Sequence, residues 1–172
     1  MSRMFYRNRK FLEERLAEVL SEGYDSLHVP GGRSLDCTFS SFVFAWFYDQ
    51  LLREKFLIVL PYKSDFFKLE ITIPLKKRES PAQTAVREFA EETGIKISRS
   101  DLKLFHKFNV YEKGKERIAH TKYFFHYTKY LTLVEIPENF YEALGEISSP
   151  FFIKSTLVKY FLFPGHYAAL IK

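Results

Sequence analysis

The chain has 172 residues, enough for one domain with a full core, and its 47% apolar and 27% charged content excludes wholesale disorder. A single cysteine, Cys37, excludes an internal disulfide framework, and the apolar run at Phe42–Phe47 falls far short of the ~20 residues a membrane helix needs. The net charge of +5, with pI near 9.2, favours polyanionic partners such as nucleotides or RNA without requiring them.

Taken in chain order, the N-terminus is basic with no apolar core behind it, so no secretory signal is expected and the protein is read as cytoplasmic. Arg9–Leu20 reads as a helix, because Phe11, Leu12, Leu16, Val19 and Leu20 recur at helical spacing, and Gly23 is its stop. Residues 24–40 read as loop, with Pro30-Gly31-Gly32 as a turn signal. Ser41–Asp49 and Lys55–Leu60 suit strands, with Asp49–Glu54 as the turn between them. Cys37, close to this apolar region, reads as a small buried hydrophobe. Phe66–Ile73 alternates loosely as a strand, and Pro74–Glu79 is a basic loop. Leu102–Tyr111 and Ala119–Leu131 read as strands joined by the charged turn Glu112–Arg117. Pro137–Leu144 is a short helix or irregular loop. The tail Ile153–Leu170 is helix-like in part, interrupted by Pro164-Gly165. Strands, helix, strands, helix in one stretch without a linker predict a single domain over residues 1–172, with residues 1–23 as a helical extension.

Ser80–Gly94 is defined at both ends by local chemistry. Ser80 is an N-cap, Pro81 occupies the first helical position, Gln83 completes a capping box, and Gly94 supplies a left-handed stop. At about 100° per residue, Ala82, Ala85, Val86, Phe89 and Ala90 form an apolar stripe. Glu88, Glu91 and Glu92 gather on another arc with no lysine among them. Like charges at these spacings repel by a few tenths of a kcal/mol per pair. A hard divalent cation such as Mg²⁺ or Mn²⁺ would resolve that repulsion, although an acidic helix face is by itself ordinary.

The same segment resembles the catalytic box of the Nudix hydrolases, G-x5-E-x7-R-E-U-x-E-E-x-G-U with U a bulky apolar residue. Glu79 is followed, after seven residues, by Arg87-Glu88-Phe89-Ala90-Glu91-Glu92-Thr93-Gly94-Ile95, so six of the seven fixed residues match. The resemblance implies an α/β/α sandwich with a mixed sheet, here with an extra N-terminal helix. It implies a metal-dependent hydrolase in which Glu88 and Glu92 are the principal ligands of Mg²⁺ or Mn²⁺, with Glu91 a third. It gives Arg87 the role of orienting its neighbouring glutamate, Glu79 that of supporting Arg87 or joining the site through water, and Gly94 that of ending the helix. The box's first glycine is replaced by Ile73. The residue before it, often a carbonyl ligand to the metal, is Thr72, whose carbonyl remains available. Isoleucine does not readily take positive φ, so the loop after it must follow another path. Glu146, before a Ser-Ser-Pro turn, stands where the family often recruits a further acid, with Glu135, Glu138 and Glu142 as other candidates.

The family cuts a nucleoside diphosphate linked to another group. Lys76, Lys77 and Arg78 immediately precede Glu79 and would sit near bound phosphates, which inclines the reading towards an RNA 5′ end, with other phosphorylated small molecules still open. Two rival readings stand beside the hydrolase. One is a catalytically silent fold of this type that binds RNA or a nucleotide. The other is an interaction domain whose residues 1–20 dock a partner or a second copy as a homodimer. The histidines His28, His106, His120, His126 and His166 show no metal-ligand spacing and receive no role.

Overall fold

Aromatic and β-branched runs pair into two four-stranded sheets in a computed structural model that describes residues 16–24, 26–62, 78–111, 118–132, 134–137, 140 and 149–171. In chain order the elements are α1 (residues 16–21), β1 (Ser26–His28), β2 (Gly31–Arg33), β3 (Phe39–Phe44), β4 (Trp46–Asp49), β5 (Glu54–Tyr62), α2 (Pro81–Thr93), β6 (Leu102–Tyr111), β7 (Ile118–Tyr127), β8 (Phe151–Lys154), α3 (Val158–Phe161) and α4 (Pro164–Leu170). The result is an α/β fold with helices packed on sheets, as expected.

In the first sheet β1, β4 and β8 all pair antiparallel with β5, whose Phe56, Leu57, Ile58 and Val59 are fully buried. The second sheet has the order β2-β3-β7-β6 and is mixed: β3 and β7 run parallel, the other pairs antiparallel. β3 is central and buried on both faces, and such strands lose the apolar–polar alternation of a half-exposed one. Paired residues share a face and successive residues alternate. Gly32 and Ser41 therefore face α2, while Gly31 and Phe42 face the opposite side, where Phe42 meets His166 of α4.

Several expectations hold. Leu102–Tyr111 is β6 at both ends, Lys55–Leu60 lies within β5, and Asp49–Glu54 is the turn before it. That turn is closed by buried Asp49, whose carboxylate accepts from Leu51 N and Leu52 N at 2.8 and 3.0 Å.

Other expectations are corrected. Ser41–Asp49 is two strands in different sheets, divided at Ala45, whose carbonyl accepts from Ile58 N at 3.2 Å. The supposed loop 24–40 contains β1 and β2, too short to show periodicity. β7 ends at Tyr127, because Thr128 N turns to the Asp101 carbonyl at 2.9 Å. Leu131 joins Phe47 only as an isolated bridge. Ile153 belongs to strand β8, and Pro164-Gly165 opens α4 rather than interrupting a helix, since proline suits a first helical turn. Cys37 is half-buried in the turn before β3 with φ 59, not packed in the core. The expected helix is described from residue 16, where Leu16 and Val19 join the core. The strand Phe66–Ile73 lies outside the described residues. No described helix is long and apolar enough to cross a membrane.

Candidate active site on helix α2

The helix that carries the glutamates is terminated as its sequence predicts. Ser80 Oγ accepts from Gln83 N at 3.2 Å, and Gln83 Oε1 accepts from Ser80 N at 2.8 Å, closing the capping box. Gly94 takes φ 75 and donates its N–H to the Ala90 carbonyl at 2.8 Å. Ala85 and Phe89 are fully buried, and burial of the phenylalanine ring alone stabilises by about 2–3 kcal/mol. The buried face is broader than the apolar stripe: Thr84 and Thr93 also lie within it. Thr93 satisfies its hydroxyl on the Phe89 carbonyl at 2.6 Å, and Thr84 donates to Glu79 Oε1 at 3.0 Å.

Glu88 and Glu92 therefore do not lie on a solvent face. They reach β2, where two glycines make room for them. A Cβ on Gly32 would stand 2.5 Å from both Cδ and Oε2 of Glu88. Gly31 donates its backbone N–H to Glu92 Oε1 at 3.1 Å. Glu91, 57% exposed, stays on the outer flank and does not join this pair.

Arg87 organises the acids. Its Nε and Nη2 grip Glu79 as a fork, at 2.9 Å to Oε2 and 3.0 Å to Oε1. Nη2 also donates to the Arg33 carbonyl at 2.8 Å. Nη1 donates to Glu88 Oε1 at 2.9 Å and to Glu91 at 3.3 Å. The guanidinium has five N–H donors, and this arrangement engages them all. Glu79 Oε1 further accepts from Leu35 N at 3.0 Å, so one carboxylate ties the start of the helix to the segment after β2.

The electrostatics separate the acids into two kinds. Burial alone would raise the Glu79 carboxyl, but the hydrogen bonds from Arg87, Leu35 and Thr84 hold it below the usual carboxylate range. Glu79 in turn holds Arg87 above its already high value. Burial pushes Glu88 up, partly opposed by Arg87, with Glu91 adding repulsion. Burial pushes Glu92 up to about 8, opposed by the Gly31 N–H and reinforced by the charges of Glu88 and Glu91. Glu79 is thus a fixed anion that positions its neighbours, whereas burial outweighs the Arg87 contact at Glu88 and leaves Glu92 with only the Gly31 N–H against it.

Half-buried carboxylate oxygens whose charge is only partly offset fit a hard divalent cation. Among the described residues no group of three or more His, Cys, Asp or Glu side chains is gathered to hold a metal ion. Two carboxylates would suit Mg²⁺, which retains several waters.

Of the other expected site residues, Arg78 is exposed just before Glu79. Thr72, Ile73, Lys76, Lys77 and Glu146 lie outside the described residues, as do Glu138 and Glu142. Glu135 accepts from Thr132 N at 3.1 Å and serves its own turn. Sequence reasoning missed Gly31, Gly32, Thr84 and the backbone groups of Arg33 and Leu35. The glycine doublet was the available signal, and it reads equally well as a turn.

No protein-family model matches the chain, and a search of curated proteins finds no significant match. Among solved structures the chain is similar to a MutT/nudix family protein from Enterococcus faecalis, with TM-score 0.42 and 13% identity over 88% of this chain and 54% of that one. The chain thus spans about half the length of that protein.

Proposed function

We propose that the chain is a metal-dependent hydrolase of the Nudix type that cuts a pyrophosphate linkage in a nucleoside diphosphate-linked substrate. The observation that carries this reading is the Arg87 hub: it clamps Glu79, Glu88 and Glu91 together beside the buried carboxyl of Glu92. In this reading Glu88 and Glu92 hold Mg²⁺ or Mn²⁺. When bound, the ion neutralises charge on the pyrophosphate and lowers the pKa of a coordinated water. Arg87 fixes Glu88 through Nη1 and leaves Oε2 of that carboxylate on the side facing Gly32. Glu79 acts through Arg87 as a positioning residue, in the manner of outer groups that orient metal ligands. Arg78, with Lys76 and Lys77 before it, supplies positive charge for the phosphates of an RNA 5′ end or a nucleoside polyphosphate.

A panel of capped RNA, triphosphorylated RNA, nucleoside triphosphates, dinucleoside polyphosphates, nucleotide sugars and inositol pyrophosphates, assayed with Mg²⁺ and Mn²⁺, tests this reading. Turnover that disappears in Glu92→Gln supports it, and equal turnover in that variant refutes it. Ile73, in place of the box glycine, favours a second reading in which the fold binds RNA or nucleotide without cutting it. Salt-sensitive binding with silence across the whole panel distinguishes that reading.

A further inference from the structure

The Arg87–Glu79 fork is anchored outside α2 by two backbone groups of one short segment. The Arg33 carbonyl accepts from Arg87 Nη2 at 2.8 Å, and the Leu35 N–H donates to Glu79 Oε1 at 3.0 Å. These groups belong to the two peptide planes that meet at the Ser34 Cα. The φ and ψ of Ser34 therefore set how the carbonyl and the N–H are aimed relative to each other. The helix by itself does not fix the fork, because Glu79 precedes the N-cap residue Ser80 and Arg87 has a long, rotamer-rich side chain. Glu91 also competes for the guanidinium at 3.3 Å, so a fork freed from the segment has a second acceptor to move to.

Ser34 is buried and held through every polar atom it has. Its N–H donates to the Phe39 carbonyl at 2.8 Å, and its carbonyl accepts from Cys37 N at 3.0 Å. Its Oγ donates to Asp36 Oδ1 at 2.7 Å and accepts from Thr38 N at 3.2 Å and Phe39 N at 3.3 Å. Asp36 Oδ1 also accepts from Thr38 N and Thr38 Oγ1, at 3.2 and 2.7 Å. The turn contains no glycine, and Cys37 sits at φ 59, a region that side chains rarely adopt. Side-chain hydrogen bonds centred on the Ser34 hydroxyl hold this turn in shape.

We propose that Ser34 is a positioning residue of the carboxylate site: its buried hydroxyl locks the turn over residues 34–38, and the locked turn holds the Arg87–Glu79 fork, and through Arg87 the Glu88 carboxylate, from outside the helix. Asp36 shares the role one step further out, as the acceptor that fixes the Ser34 hydroxyl. The service of the fork to catalysis rests on the hydrolase reading; its dependence on the turn does not.

Amide hydrogen exchange of the metal-free full chain, read residue by residue by NMR, tests the proposal with Ser34→Ala, Asp36→Ala and Asp36→Asn, the last of which keeps the Oδ1 acceptor. In Ser34→Ala and Asp36→Ala the Leu35 amide should exchange at least about tenfold faster than in the parent, and in Asp36→Asn it should match the parent. The Gly94 amide, bonded to the Ala90 carbonyl at the far end of α2, should keep its protection in all three. Faster exchange confined to Thr38 and Phe39 would reduce Ser34 to closing its own hairpin and overturn the proposal. So would Gly94 accelerating by the same factor as Leu35, which marks global destabilisation, or Asp36→Asn exchanging like Asp36→Ala. For any pyrophosphate substrate that the chain turns over, Ser34→Ala should lower kcat at least about tenfold with KM within about twofold of the parent. Parental kcat beside a deprotected Leu35 would overturn the positioning role. Silence towards every substrate would instead sink the hydrolase reading and leave the exchange rates to decide what the turn does.

Discussion

Replacing Glu92 by glutamine should make the metal-free protein more stable at alkaline pH while removing its turnover. The folded state raises this carboxyl from 4.5 to about 8. A raised folded value means that the native state binds the proton more tightly than the unfolded chain does. The contribution is therefore fully present below about 4.5 and is lost as pH rises through about 8. Each pH unit in that window corresponds to about 1.4 kcal/mol, so the total loss approaches roughly 5 kcal/mol. At ~2–4 °C per kcal/mol for a chain of this size, that is about 10–20 °C in melting temperature. Glutamine keeps a carbonyl oxygen for the Gly31 N–H and carries no charge. Circular dichroism melts in EDTA at pH 5, 6, 7, 8 and 9 should show the parent falling relative to the variant as pH increases. Restoring Mg²⁺ or Mn²⁺ at pH 8 should raise the melting temperature of the parent but not that of the variant. Parallel curves across the pH range would refute the argument, because the difference between the two proteins isolates this one carboxyl.

The two glycines of β2 should part company on substitution. Gly32→Ala brings its methyl 2.5 Å from the end of the Glu88 side chain, which can shift where backbone could not, so the fold should persist while turnover falls by about 10²-fold through misplacement of the carboxylate. Gly31→Ala collides with the Ser41 carbonyl and approaches the Phe42 Cα at 2.7 Å, backbone that cannot step aside, and denaturant melts should show a loss of about 3 kcal/mol or more. Arg87→Lys retains the charge but loses the fork on Glu79, so turnover should drop about 100-fold and urea unfolding should show a loss of about 2 kcal/mol. Ser80→Ala removes only the cap and should cost about 1 kcal/mol, or ~2–4 °C in melting temperature, with kcat nearly unchanged.

The parts of the molecule legible in its sequence are those governed by short-range rules. The limits of α2 follow from Ser80, Pro81, Gln83 and Gly94, which act within a few residues of themselves, and all four do what their types predict. Helical spacing alone gathers Glu88, Glu91 and Glu92; that Glu79 and Arg87 act with Glu88 is implied by the resemblance to the Nudix box, and the contacts of Arg87 with both acids agree with it. What stayed hidden depends on partners far along the chain. The Gly31-Gly32 doublet has the same local chemistry whether it turns or lets a helix close in, and only Glu88 and Glu92, some 60 residues away, decide between the two. The chain changes sheets at Ala45 because Phe44 still pairs with β7 while the Ala45 carbonyl accepts from Ile58 of β5, a division no local pattern records. His166 reads as an isolated histidine until α4 lays it across Phe42 and Phe124.

The parallel pairing of β3 with β7 governs how the chain is made as well as what it is. Phe39 finds its neighbour Thr121 about 80 residues downstream, a separation that slows folding because loop closure must precede any reward from contact. During synthesis the segment Phe39–Phe44, with no charge and three large apolar side chains, must leave the ribosome long before its central partner exists. Until then it is an uncovered strand of the kind that associates with copies of itself. Yield in an expression host should therefore depend on temperature and translation rate more steeply than the stability of the finished protein suggests.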